Sequence, residues 1–463
     1  MLPLLAQVSA TLPQTSYNVS EILTPYMPVF YTSFLITLIL TPIMRVLAHR
    51  HGVVDDPDGK RKVHTQPIAY LGGVSIFLGW LAGVTISVLL RPHNADQLLL
   101  NNIQVPPGVL LGAAVVVLFG LMDDVYSLSP KIKLLGQLLA ALLLILPGAL
   151  GLGNDFFLGA QRGLTGAASH TGPAWMILDP LIHYGYLSPD ISPLLAYGAV
   201  GFSAMVAIFV IIAACNATNL LDGLDGLCSG VTGVMSIGYL VLAVYLAAQI
   251  MPFAGGSPVD PTRITLSLAL LGAVLGFLPF NFNPASIFMG DTGSMFLGYI
   301  CGTMILLFGQ NGTIRWFLSA IIMFGLPMMD TLLAIVRRKL NGKPIFSPDS
   351  NHFHHFLVRR GLTVRRAVLL SYVVAGVFVS FGLVIVIVPT RLAVGIYLVL
   401  FGWIVVAAFK MGMIFQTPAK ATNQTLNPLV VSDYKTPQPL TSPPTEAPPE
   451  KPLGPSSTIP GGI

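Results

Sequence analysis

Charge is scarce in this sequence. Asp, Glu, Lys and Arg make up 9% of its 463 residues, against roughly 25% in an ordinary soluble protein. So few polar groups cannot cover a water-soluble globule of this length, and the solvent around most of the chain is expected to be lipid. Cysteine is scarce as well. Cys215, Cys228 and Cys301 lie in or beside apolar runs, and neither a CxxC pair nor a Cys/His spacing accompanies them, so no disulfide framework and no zinc site are expected. The net charge of +5 is small and dispersed, which argues against nucleic acid as a partner. No basic residue precedes the apolar residues of MLPLLAQVSATLPQTS, and this start reads as a retained tail, not a cleaved signal peptide.

Apolar sequence is what the chain has in excess, at 54%. Crossing about 30 Å of hydrocarbon takes roughly 20 residues per helix, and eleven stretches qualify: 28–49, 69–90, 107–122, 132–150, 194–214, 227–249, 263–280, 292–309, 314–336, 367–388 and 393–412. The expected fold is therefore an all-α integral membrane protein with about eleven transmembrane helices. With the N-terminus outside, all but five of the 24 lysines and arginines fall on the cytoplasmic side, as the positive-inside rule requires. The exceptions are Arg91, Arg162, Arg263, Arg315 and Arg391. The layout that follows is an extracytoplasmic tail over 1–27, a multi-span domain over 28–412 and a cytoplasmic tail over 413–463. That tail is rich in proline and too polar to bury a core, so it is expected to be disordered. The outer loop over 151–193 is glycine-rich and poor in catalytic residue types.

Ionisable residues near hydrocarbon are costly unless they serve a site. Five clusters occur, and loop parity puts all of them on the cytoplasmic side: DDPDGKRKVH over 55–64, Asp123 with Asp124, NATNLLDGLDGL over 216–227, NFNPASIFMGDTGS over 281–294, and the histidines His352, His354 and His355. Neighbouring carboxylates repel one another, and a hard divalent ion that prefers oxygen ligands is the simplest compensation, with Mg²⁺ the natural candidate and Mn²⁺ the alternative. Lys60, Arg61, Lys62, Arg359 and Arg360 suit anionic groups, although the first three also serve as topology determinants. Glycines 223, 226, 290 and 293 flank the acids and let backbone approach a phosphate. Carboxylates, a metal and basic groups together form the inventory for phosphoryl transfer.

Two local expectations come from spacing. Polar residues recur every third position from Asn216 to Asp225, which in a continuous helix would turn Asn216 away from Asp225; the glycines are expected to end the helix near Asp222 and return Asp225 to the site from a loop. Asp330 lies seven residues before Arg337 and so on one helix face with it, which reads as a structural ion pair. Acids at span ends also occur simply as solvated caps, an alternative that stays open for Asp123 and Asp124.

In this order and with these separations, VDDPDGKRKVH, GLMDDVYSLSPK, NATNLLDGLDGL, NPASIFMGDTGS and HFHH resemble the motifs of the polyprenyl-phosphate N-acetylhexosamine-1-phosphate transferases, over roughly residues 25–410. The resemblance implies a membrane enzyme of glycosyltransferase 4 type that uses Mg²⁺ to move a sugar 1-phosphate from a UDP-sugar onto a polyprenyl phosphate, with release of UMP. By motif, Asp291 matches the family's metal ligand, with Asn216 set beside it. Asp123 and Asp124 match the paired carboxylates near the attacking phosphate, while Asn219, Asp222 and Asp225 match polar residues around the nucleotide sugar. Asn281 and Phe288 match the uridine pocket, Phe288 stacking on the base, and His352, His354 and His355 match a motif near the diphosphate. Arg61, Lys62 and His64 are expected to contact substrate. RKVHTQPIAYLGG, from Arg61 to Gly73, is similar to the branch that uses UDP-N-acetylglucosamine to start O-antigen, teichoic acid or related glycans, and the muramoyl-pentapeptide transferases of peptidoglycan synthesis are the alternative. Asp123 acts either by positioning or by deprotonating the lipid phosphate. The partners expected are the UDP-sugar, the polyprenyl phosphate and the bilayer, with a homodimer as one open assembly state. An anion transporter, the reading from a different class, should carry its site near the bilayer midplane and show two matching halves, neither of which the sequence has.

Overall fold

The computed structural model describes residues 19–55, 67–90, 105–149, 193–254, 260–309, 314–342, 344 and 352–410. The outer loop and the C-terminal tail discussed above lie outside the described residues.

Each of the eleven apolar stretches carries helix among its described residues. After a short lead-in (Val19–Leu23, then a 3-10 turn over Thr24–Tyr26), the helices are α1 Met27–His51, α2 Gly72–Leu89, α3 Pro107–Tyr126, α4 Pro130–Ala149, α5 Pro193–Leu221, α6 Leu227–Ala254, α7 Asp260–Asn281, α8 Gly290–Phe308, α9 Ile314–Met323, α10 Gly325–Leu340, α11 Phe353–Arg359, α12 Val364–Ile387 and α13 Thr390–Lys410. Among the described residues, eight helical segments are long and apolar enough to cross a membrane, and nine if α9 and α10 count as one span. α4 and α13 fall outside that measure, so length and composition alone give fewer spans than eleven. Large apolar side chains on the outside, among them Phe209, Val399, Trp403 and Ile387, are what a bundle solvated by lipid presents.

The stretch over 314–336 is not one straight helix. It breaks at Phe324, and α9 and α10 meet at 76°. Gly325 opens α10 and Pro327, which has no N–H to donate, follows in its first turn, the local chemistry that interrupts a helix ladder. The only sheet among the described residues is small: β1 (Val54–Asp55) pairs antiparallel with β2 (Ile68–Ala69), and Ala69 bridges in parallel to Ile287.

α8 is the centre of the bundle. It packs against α3 and α5, with α2 also in contact, and from Gly290 to Phe308 every residue except Asp291 is buried. Its C-terminal end is held by Arg263 of α7, itself fully buried, which donates to the Leu307 carbonyl from Nε (3.2 Å) and Nη2 and pairs with Asp260 at 2.7 Å. At the other end, Gly120 of α3 lies against the first turn of α8. A Cβ there would sit 2.5 Å from the Thr292 Cα, so only glycine permits this approach. Asp124, one turn further along the same face of α3, is thereby delivered to the α8 N-terminus.

Candidate active site

The α8 N-terminus has exposed backbone donors and the positive end of the helix dipole. Asp124 satisfies them from another helix: Oδ1 accepts the Asp291 N–H at 2.7 Å, and Oδ2 accepts the Thr292 N–H at 3.1 Å and the Thr292 hydroxyl. Asp124 is thus a cap, though of α8 and not of its own helix.

Asp123, Asp124 and Asp291 each place one carboxylate oxygen within 4.8 Å of the others. The Lys133 ammonium, from the first turn of α4, lies between two of them, 2.6 Å from Asp123 Oδ2 and in direct contact with Asp291 Oδ2. The free oxygens of the pair are also engaged, Asp123 Oδ1 by the Leu128 N–H at 2.7 Å and Asp291 Oδ1 by Asn219 Nδ2 at 2.8 Å. Asn219 reaches Ser294 as well. An oxygen-only set of three carboxylates suits a hard divalent cation such as Mg²⁺, and Lys133 already holds one positive charge at the centre of it. In the sequence alone Lys133 is one of the basic residues on the cytoplasmic side and nothing more. The available signal was a lysine placed inside the apolar helix PKIKLLGQLLAALLL, one turn before Gln137.

The expected break in the helix is found: α5 ends at Leu221 and the DGLDG segment leaves it as a turn. Enclosure raises the pKa of Asp222 well above its ordinary value, and the nearby carboxylates Asp291, Asp124 and Asp225 push in the same direction. Asp225, buried, turns to the loop after α7, accepting from Asn283 Nδ2 at 3.0 Å and from the Ala285 N–H at 2.9 Å. Asn281 joins the same two loops. Its Oδ1 accepts from the Gly226 N–H and from Ser229, and its Nδ2 donates to the Ile287 carbonyl, so the buried side chain staples the two loops together. Tyr372 of α12 adds a bond to the Gly226 carbonyl at 2.6 Å.

Asn216 makes its hydrogen bonds away from the three grouped carboxylates. Its Nδ2 donates to Gln137 and to the Ile212 carbonyl, both at 2.7 Å, and Gln137 in turn touches Met295. Lys133, Asn219 and Asp291 form one layer across α4, α5 and α8. Gln137, Asn216 and Met295 form the next layer, one helical turn deeper, so the amide that reaches Asp291 is Asn219.

Phe288 is held by backbone on both sides, its N–H to Ala69 at 2.8 Å and its carbonyl from Gly72 at 3.0 Å, and its ring meets Tyr70 with centroids 5.8 Å apart. The Tyr70 hydroxyl pKa is raised by burial first, and then by Asp55, Asp124 and Asp222. The segment that distinguishes the branch in sequence therefore leads straight to Phe288. Arg61, Lys62 and His64 lie outside the described residues.

His352, His354 and His355 form one group: His352 and His354 stack in parallel at 5.7 Å and His354 meets His355 at 4.3 Å. His354 is buried, neither ring nitrogen has a hydrogen-bond partner among the described residues, and burial, with His355 adding to it, pushes its pKa down to about 3. Its Nε2 abuts Gly223, where any Cβ would collide with the ring. The histidine group is thereby locked onto the DGLDG turn. Asp330 belongs to this group as well. His352 Nδ1 lies 3.1 Å from Oδ2, and the Phe353 N–H donates to Oδ1 at 2.8 Å, so the acid expected to pair with Arg337 serves the histidine segment with both oxygens.

The geometry brings together the second, third and fourth polar clusters directly and the fifth through Gly223, at one end of the bundle. Comparison with known proteins gives a consistent result. The model of glycosyl transferase family 4 matches residues 106–309. A Bacillus subtilis protein named probable undecaprenyl-phosphate N-acetylglucosaminyl 1-phosphate transferase is 35% identical over 350 residues, covering 75% of this chain and 82% of its own. The decaprenyl-phosphate N-acetylglucosaminephosphotransferase of Mycobacterium tuberculosis is 32% identical over 364 residues, 76% of this chain and 80% of its own. The undecaprenyl-phosphate alpha-N-acetylglucosaminyl 1-phosphate transferase of Yersinia pestis is 29% identical over 360 residues, 76% and 82% respectively.

Proposed function

The chain belongs to glycosyl transferase family 4, and from that premise we propose that it transfers N-acetylglucosamine 1-phosphate from UDP-N-acetylglucosamine to undecaprenyl phosphate, releasing UMP and initiating a cell-envelope glycan. The observation that carries the chemistry is the junction of Asp123, Asp291 and Lys133 at the capped N-terminus of α8.

In the proposed reaction, an oxygen of the lipid phosphate attacks the β-phosphorus of the donor. A bond forms between that oxygen and phosphorus, the bond from phosphorus to the UMP oxygen breaks, and the electron pair leaves with UMP. A phosphate monoester has a second pKa near ~6, so the nucleophile is already dianionic at neutral pH and needs no base. Asp123 then acts by positioning. Lys133 supplies positive charge where negative charge accumulates, and being covalently placed it needs no reorganisation as the reaction proceeds. Asp291 and Asp123, with Asp124 behind them, would hold Mg²⁺, which supplies charge neutralisation of the diphosphate when bound. Phe288 offers a face to the uracil, Asn219 and Asp222 flank the diphosphate, and the histidine group borders the site at the DGLDG turn.

The excess of lysine and arginine on one side supports eleven spans with the N-terminus outside and the site at the cytoplasmic face of the cell membrane, with α4 and α13 taken as spans and α9 with α10 as one broken span. Purified protein in detergent, given radiolabelled UDP-N-acetylglucosamine and undecaprenyl phosphate with and without Mg²⁺, should form labelled lipid and UMP only with metal. Label moving solely from the muramoyl-pentapeptide donor would overturn the sugar assignment, and no transfer from either donor would overturn the reaction.

A further inference from the structure

Asp330 is an acid that the reaction scheme above does not use. It lies on α10 just past the break, 2% exposed, and divides its two oxygens between the backbone and the side chain of the histidine segment. Oδ1 accepts the N–H of Phe353, the first residue of α11, while Oδ2 faces His352 Nδ1 at 3.1 Å. His352 stands at the N-cap of α11 with extended backbone (φ −64°, ψ 157°), and its own side chain does not cap the helix. One carboxylate on another element therefore caps α11 and orients a ring at the same time.

A carboxylate can only accept, so the contact requires a proton on His352 Nδ1. In the neutral ring this leaves Nε2 as the acceptor, and in the charged ring Nε2–H becomes a donor whose positive charge is matched by Asp330 behind it. His354 stacks in parallel on His352 and rests against Gly223 of the DGLDG turn, so His352 is tied to that turn through His354. We propose that Asp330 is the positioning residue for His352, holding the Nδ1–H tautomer so that Nε2 is the nitrogen offered to the donor's diphosphate. This rests on the transferase reading and adds to it a residue outside the sequence motifs.

The near-isosteric change Asp330→Asn separates the two jobs. Asparagine keeps an oxygen for the Phe353 N–H and so keeps the cap, but its Nδ2 then faces His352 Nδ1 as a donor and forces the proton to Nε2. The tautomer is read directly by NMR of ¹⁵N-histidine-labelled protein in detergent, with the His352 signal assigned by its loss in His352→Gln. Nδ1–H is expected in the unsubstituted protein and Nε2–H in Asp330→Asn. In the transfer assay, Asp330→Asn should lower kcat/KM for UDP-N-acetylglucosamine at least 30-fold with little change in melting temperature, and Asp330→Glu should recover part of it. Combined with His352→Gln, Asp330→Asn should cost nothing further, because both changes remove the same ring function. Nε2–H in the unsubstituted protein, unaltered kcat/KM in Asp330→Asn, or fully multiplicative losses in the double variant would each overturn the proposal. If the unsubstituted protein transfers no sugar phosphate, the transferase reading fails, and the tautomer measurement still decides whether Asp330 sets His352.

Discussion

Asp124 and Thr292 are joined twice across 168 positions of sequence, through the Thr292 N–H and through its hydroxyl, so that an acid of α3 caps the first turn of α8. The Asp124 carboxylate is consequently both part of the acidic group and the part that seats α8. Changing it to asparagine removes the charge at the helix N-terminus, which is expected to lower stability by about 1 kcal/mol and activity by ~100-fold or more. Thr292→Val should lower the melting temperature by a similar stability increment but retain more of the activity. Thermal melts and kcat measured in the same detergent check both, and full activity in Asp124→Asn would refute the dual role.

Lys133 competes with any divalent cation for Asp123 and Asp291. Lys133→Gln should therefore bind Mn²⁺ at least as tightly as the unsubstituted protein, by calorimetry or paramagnetic relaxation, while losing ~100-fold or more in kcat. Weaker metal binding together with normal turnover would mean that the ammonium is merely structural.

Asp291 touches both Lys133 and Asn219, so Asp291→Asn is expected to abolish turnover at any Mg²⁺ concentration. Asn219→Ala removes a hydrogen bond to that charged carboxylate, a loss of about 1.5 to 3 kcal/mol, and should reduce kcat/KM by roughly ten- to a hundredfold. Near-normal turnover of Asp291→Asn at saturating Mg²⁺ would exclude it as a ligand.

Gly223→Ala places a methyl group against His354. The histidine segment must then shift, and kcat/KM should fall at least tenfold, as small displacements of positioned groups commonly cause. The pairing of Gly223→Ala with His354→Ala should recover melting temperature relative to Gly223→Ala alone. Independent, additive effects would argue that the two residues are not in contact.

The pKa of His354 lies at about 3 in the folded protein and near ~6.5 when unfolded. Between these values the unfolded chain binds the extra proton, so this residue makes stability fall as pH drops from about 6.5 toward 3, and contributes no pH dependence above that range. Melting temperature against pH in the unsubstituted protein and in His354→Gln tests this: the variant should show a shallower acid limb, and superimposable curves would contradict it.

Much of this was legible in the residues themselves. The apolar stretches fixed the helices because hydrocarbon leaves the backbone no other way to satisfy itself, and the glycines after Leu221 did end α5. Other features depended on distance in space. Lys133 looked like a topology charge because nothing local reveals that its first turn faces Asp291, 158 positions away. The partner of Asp330 was sought along its own helix, at Arg337, whereas it lies beyond a loop in His352. Asn216 and Asn219 are alike in the NATNLL motif, and only the packing of α4 and α8 decides which of the two amides reaches the acid. The break at Phe324 carried a local sign in Gly325 and Pro327, but glycine and proline are common enough in membrane helices that the sign did not stand out.

The two ends of α8 meet opposite charges, the Asp124 carboxylate at its start and the Arg263 guanidinium at its finish. Sliding α8 along its axis in either direction would pull one of these charges off the helix, and the enclosing helices leave it no room to tilt. This places α8 as the fixed axle of the molecule. In hydrogen exchange, the amides of α8 should be the last in the protein to be replaced by deuterium.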